Sequence, residues 1–262
     1  MRRLRLPPPP RPRLRALTVW RRNVLVWRKL MGAALAMNFG EPVLYLLGLG
    51  YGLGFFIGEM AGLPYLTFLA SGIVASSAMT TASFEGMYSV YTRMVPQRTY
   101  EALLATPLTV DDIVAGELLW CATKSLISSS AILAVAALLG AVSGWQALLA
   151  VPAFFLVGLC FAGPAVVMSA LAPNYDFFEY YFTLVLTPML LVCGVFYPVD
   201  ALPGALQAIV QVLPLTHAVA LVRPLVAGLP PEQPLLHLAV LAAYAAAGWY
   251  AATVLVRRRL VS

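Results

Sequence analysis

Six long apolar runs divide this chain, and no other sequence feature narrows its fold as much. They cover approximately 33–57, 64–90, 112–140, 145–171, 177–197 and 234–256. A helix needs about 20 apolar residues to cross a hydrocarbon core of about 30 Å. Lipid offers nothing to hydrogen-bond the backbone, so runs without strand alternation must close their own hydrogen bonds as helices. Composition agrees. Of 262 residues, 61% are hydrophobic and 11% charged, whereas a soluble domain carries roughly 25% charged residues. The expectation is an all-α integral membrane protein with six transmembrane helices and no room for a second sizeable soluble domain.

Charge placement sets the expected topology. Ten of the 17 Lys and Arg residues precede residue 30, Arg93 and Arg98 follow the second run, and Arg257, Arg258 and Arg259 end the last. Cations that flank apolar spans mark the cytoplasmic side. An even number of spans then puts both termini in the cytoplasm. The same distribution argues against nucleic acid as the reason for the net charge of +6. Cys121, Cys160 and Cys193 all fall in apolar stretches without metal-ligand spacing, and they read as small core residues.

Residues 1–13 are rich in Arg and Pro, with four consecutive prolines at 7–10. Such a run cannot be helical and predicts a mobile, solvated tail. Residues 14–30 read as an amphipathic helix. Leu17, Trp20, Val24 and Trp27 form an apolar stripe between cations, which suits a helix lying in the membrane interface. The domain expected over 31–262 has two non-spanning parts. Residues 91–111 form the longest cytoplasmic loop, where Pro96 and Pro107 bracket a short helix at about 97–106. Residues 199–232 contain apolar patches at 205–213 and 217–226, broken by prolines and too short to span. They predict an external re-entrant helical hairpin before the last span.

Ionisable residues inside apolar spans are costly and mark candidate sites. Glu41, Glu85, Glu117 and Lys124 all fall toward the cytoplasmic mouth, and Asp176 and Glu179 open the fifth run. A gate or substrate path is one reading, with Glu41, Tyr45, Glu85, Tyr88 and Lys124 as its residues. Ion pairs that fix helix register are the other. Glu117 and Lys124 are two turns apart on one face, too far to pair directly. Gly48, Gly50, Gly52 and Gly54 alternate at spacings that allow close helix packing. His217 and His237 read as isolated.

The segment RTYEALLATPLTVDDIVAGELLW, residues 98–120, carries a resemblance. With its LATPL element at Leu104–Leu108 and its GELLW element at Gly116–Trp120, it resembles the permease subunits of ABC-2 type exporters. Among these it is similar to the branch that exports rhizobial nodulation factors (lipo-chitooligosaccharides), polysaccharides and drugs. The resemblance implies a bacterial inner-membrane exporter of a lipo-oligosaccharide or polysaccharide, with a hydrophobic drug as the alternative cargo. The chain has no G-x-x-x-x-G-K-[ST] phosphate loop, so a separate ATPase subunit would hold ATP and Mg. Helix 97–106 would couple to that subunit through Arg98, Tyr100, Glu101, Leu103 and Leu104; a solvated connector is the plainer reading. Six helices make a thin wall around a glycan path, so a homodimer is expected, closing between spans one and five of opposing protomers. A secondary transporter would more often carry inverted repeats, and a membrane enzyme would need a catalytic constellation.

Overall fold

A computed structural model describes residues 9–29, 31, 32, 40 and 42–261. Ten helices carry the described chain. They are α1 (Ala16–Lys29), α2 (Pro42–Ile57), α3 (Tyr65–Met94), α4 (Thr99–Leu104), α5 (Val110–Leu138), α6 (Trp145–Leu171), α7 (Phe177–Val192), α8 (Gly204–Val210), α9 (Pro214–Val226) and α10 (Pro234–Val261). A two-residue hairpin links α2 to α3, pairing β1 (Glu59–Met60) with β2 (Leu63–Pro64). Its turn holds Ala61 at φ 51° and Gly62 at φ 74°. Two successive positive φ values are what a two-residue hairpin needs, and glycine adopts them without strain.

Among the described residues, four helices are long and apolar enough to span: α3 with 30 residues, α5 with 29, and α6 and the stretch Pro234–Leu260 of α10 with 27 each. At about 1.5 Å per residue, each exceeds the roughly 30 Å core. α8 and α9 meet at 87° and count together as a fifth span or as a re-entrant loop. Six spans are therefore not established. α2 and α7 each contain 16 residues, or about 24 Å, and part of the run 33–57 lies outside the described residues.

The core is a bundle of α3, α5, α6 and α10, with α1 laid along α5 and α9 against α3. Small residues set the spacing. A Cβ on Gly163 of α6 would lie 2.6 Å from Gly248 Cα of α10, and one on Gly116 of α5 would lie 2.6 Å from Ala16 O of α1. A Cβ on Gly72 of α3 would lie 2.5 Å from Val195 O. These positions allow backbones to touch. The alternating glycines of α2 do not. Nothing lies within 4 Å of a Cβ built on Gly48 or Gly52, and Gly50 and Gly54 meet only side chains.

The N-terminal segment departs from the mobile tail expected over 1–13. Within its described part, Arg11 N–H donates to Asp111 Oδ2 at 2.7 Å and Arg13 N–H to Asp112 Oδ1 at 2.6 Å. Asp112 also completes a capping box with Thr109 at the start of α5, satisfying two orphan backbone donors there. Arg15 Nη1 donates to Pro107 O at 2.7 Å, and Arg257 of α10 pairs with Asp111 at 2.5 Å. Arg259 Nη1 lies 2.8–3.0 Å from the carbonyls of Ser169, Ala170 and Ala172, and its two N–H groups are shared among them to cap the end of α6. The basic ends thus lock helix termini together.

Candidate functional site

Glu85, Glu117 and Lys124 converge between α1, α3 and α5. On α5, Glu117, Trp120 and Lys124 recur at spacings of three and four and share one face. On α3, Glu85 opens a π-helical turn at Glu85–Ser89, and Arg93 follows two turns later. The two helices run antiparallel, so the pairs form two rungs. Lys124 Nζ reaches Glu85 Oε2 at 2.8 Å in the deeper rung. Arg93 Nη2 reaches Glu117 Oε2 at 2.7 Å in the shallower one, and Glu85 Oε1 at 3.1 Å joins both. Trp120 Nε1 donates to Glu85 Oε1 at 2.9 Å. From α1, Asn23 Nδ2 donates to Glu117 Oε2 at 2.8 Å and Arg22 Nη2 lies 3.4 Å from Oε1.

Both acids are buried. Each buried carboxylate is met by two cations and a neutral donor, as burial of charge requires. Of the amphipathic helix expected over 14–30, α1 covers Ala16–Lys29, and its inward face is Ala16, Val19 and Asn23, with Trp20 donating to Thr123 Oγ1 at 2.9 Å. Leu17, the first residue of the expected stripe, is exposed. The buried asparagine explains the shift, because Glu117 needs its amide.

The π-turn has its own support. Inserting one residue into the helical ladder displaces carbonyls from their donors. Ser169 Oγ of α6 lies 2.6 Å from Gly86 O and 2.7 Å from Met87 O and donates to one at a time. Gly86 admits α6 here, since a Cβ on it would be 2.7 Å from Ala165 Cβ.

The other candidates are placed as follows. Tyr88 stacks on Phe84 at 5.5 Å and packs edge-on to Phe178 of α7 at 5.0 Å, and its hydroxyl donates to Glu179 at 3.2 Å. Tyr45 meets Phe196 edge-on at 6.2 Å, away from the charge cluster. Glu41 lies outside the described residues. A cleft of about 540 Å³ opens beside the cluster, bounded by Arg22, Trp27, Glu85, Tyr88, Arg93 and Lys124. Glu85, Tyr88 and Lys124 therefore share one site, and Arg22, Asn23, Arg93 and Trp120 join it.

α4 sits directly over this network. Tyr100 is 1% exposed, so it is not available as a docking contact. Burial, reinforced by the Glu117 charge, pushes its phenol well above the usual value. Leu103 and Leu104 also pack against the core. Arg98, in a left-handed conformation at φ 48°, and Glu101 point outward and lie 4.0 Å apart. The outer surface of α4 is thus Arg98, Glu101 and Ala102.

His217 and His237, read as isolated, meet. Their Nδ1 atoms are 2.9 Å apart, and His217 Nε2 is 2.8 Å from Gln211 O. Arg223 of α9 ties three elements: Nε donates to Ser71 Oγ at 3.1 Å and Nη2 to Gly194 O at 2.6 Å, with the guanidinium over the Phe68 ring at 3.6 Å.

Comparison with known proteins fits this arrangement. Residues 15–226 match the ABC-2 type transporter family. The chain is 48% identical over 246 residues to Nodulation protein J of Rhizobium leguminosarum bv. viciae, covering 94% of this chain and 95% of that protein. It is 45% identical over 245 residues to Nodulation protein J of Rhizobium meliloti (strain 1021), covering 94% of each. A more distant similarity, 22% over 203 residues, is to the inner membrane transport permease YadH of Escherichia coli (strain K12), covering 78% of this chain and 79% of that one. With its multi-pass helical bundle, the chain belongs to the ABC-2 type transporter family as a membrane permease subunit.

Proposed function

We propose that this permease works with a separate ATPase subunit and exports a lipo-oligosaccharide or related glycan across the bacterial inner membrane. The likeness to Nodulation protein J along 94% of the chain, at 45–48% identity, carries the reading. The ATPase would dock on α4 from the cytoplasm. Arg98 and Glu101 supply its exposed charge, and Tyr100, Leu103 and Leu104 supply the rigid seat beneath. Beneath that seat the network of Arg93, Glu117, Glu85 and Lys124 ties α1, α3 and α5 together. A push on α4 is therefore felt by three helices together, which is what a lever needs.

The cleft beside Glu85, Tyr88 and Lys124 would admit the polar part of the cargo at the inner leaflet. A second copy of the chain would complete the path. α2 and α7 leave large side chains exposed, among them Leu44, Tyr51 and Phe55 on α2 and Tyr180 and Leu184 on α7. These faces suit a partner protomer, and a two-fold pair is the usual closed assembly. The α8–α9 pair would dip into the outer leaflet as a re-entrant hairpin.

Co-purification tests the docking. The wild-type permease is expected to retain its ATPase, and Glu101→Lys is expected to lose it while inserting normally. Retention by Glu101→Lys at the wild-type level would overturn the α4 assignment. For the cargo, ATPase activity of the reconstituted complex should rise with an acylated chitooligosaccharide and not with the deacylated glycan or a hydrophobic drug alone.

A further inference from the structure

Two cavities meet where the N-terminal segment crosses the starts of α1 and α5 and the end of α10. The first is an open, cationic cleft lined by Arg11, Arg13, Arg257 and Arg258, with Asp111 the one acid among its described lining residues. That acid is already engaged by Arg257 and by the Arg11 N–H. The second is an apolar groove of about 650 Å³ between α1, α5, α6 and α10, walled by Leu14, Leu17, Leu118, Leu156, Ala245 and Trp249 among others. Pro12 and Arg13 line both, so the groove opens into the cleft. On α10 the groove runs from Ala242 to Trp249, roughly 10 Å along the helix, which gives room for part of an acyl chain.

We infer that this composite site binds an anionic phospholipid, with its phosphate in the arginine cleft and an acyl chain in the groove. Charge complementarity selects the headgroup, since Arg11, Arg13, Arg257 and Arg258 line the cleft and Asp111 is the one acid among its described lining residues, which leaves a net positive wall. Hydrogen bonds from the Arg11 and Arg13 backbone to Asp111 and Asp112 hold those two side chains at the mouth. The groove supplies what a free phosphate cannot use, an apolar surface for a hydrocarbon chain. The lipid would cover the Leu14 and Leu17 side of α1 and fasten it to α5, α6 and α10.

The test uses the full chain in nanodiscs of phosphatidylcholine with a minor share of phosphatidylglycerol, followed by native mass spectrometry of the lipids retained on gentle release. The wild type is expected to retain phosphatidylglycerol at roughly tenfold its bilayer proportion. Combined Arg11→Glu, Arg13→Glu and Arg258→Glu should return that proportion to the bilayer value. Ala246→Trp, which fills the groove and leaves the arginines intact, should lose retained lipid of both kinds. A wild type that retains lipid in the bilayer ratio would overturn the inference. Unchanged enrichment in Ala246→Trp would also overturn it, because the anion would then be held on the surface alone. Displacement of the lipid by millimolar inorganic phosphate would show a plain anion site and overturn it too. None of these readouts involves the ATPase or the cargo.

Discussion

Replacing Glu117 by methionine tests the buried charge network most sharply. Its carboxylate is 1% exposed and receives Arg93 at 2.7 Å, Asn23 at 2.8 Å and Arg22 at 3.4 Å. Methionine keeps the volume and removes every acceptor. Removing one partner of a buried pair costs about 3–5 kcal/mol, because the other charge is left without compensation. The low end applies here: Arg93 keeps Glu85 at 3.1 Å, and Arg22, 28% exposed, can turn to water. A loss of about 3 kcal/mol corresponds to a fall of roughly 6–12 °C in melting midpoint for a chain of this size. The assay is size-exclusion recovery of detergent-solubilised protein after heating. The double variant Glu117→Met with Arg93→Met removes both charges and should recover most of the loss, since an apolar pair replaces an ion pair at little net cost. A single variant within about 1 °C of wild type, or a double variant that sums the two single losses, would refute the coupling.

Lys124→Met should weaken the deeper rung and lower the midpoint by a similar amount, and Glu85→Met in the same chain should restore it; heated size-exclusion recovery reads both. Gly248→Leu should also destabilise the bundle, because a Cβ at that position already lies 2.9 Å from Pro164 Cδ; overpacking of this kind costs about 1–3 kcal/mol, visible as lost monodisperse protein at constant expression. Asp112→Ala removes the capping box of α5 and the Arg13 contact, with an expected loss of about 1–2 kcal/mol and faster proteolysis of the N-terminal segment. Tyr100→Ala should reduce ATPase association through loss of the seat under α4, while Tyr100→Phe, which keeps the ring, should not; equal effects of the two would contradict a packing role.

The bundle is legible where hydropathy alone decides. The runs 64–90, 112–140, 145–171 and 234–256 each became one long helix. Their edges moved where local chemistry intervened: α5 starts at Val110 because Thr109 and Asp112 cap it, and α3 runs on to Met94 through the π-turn. Glu85, Glu117 and Lys124 stand out by the cost of charge in lipid. Their partners do not. Arg93 and Arg22 read as topology signals, and nothing in a linear pattern joins Glu117 to residues 24 and 95 positions away. Tyr100 read as an exposed anchor because a six-residue helix has too little periodicity to show its inward face. The close-packing glycines were misplaced for a related reason. Gly48 and Gly52 have the favourable spacing, whereas Gly163 and Gly248 are single residues on different helices whose proximity exists only in three dimensions.

Site-directed labelling at α4 tests the central claim most directly. The natural cysteines at 121, 160 and 193 are all buried, so the chain offers little background to a membrane-impermeant maleimide. Ala102→Cys, on the exposed side of α4, is expected to label in inside-out vesicles, to stay unlabelled in intact spheroplasts, and to be shielded when the ATPase subunit is bound. Labelling of Ala102→Cys from the outside of intact cells would contradict the account.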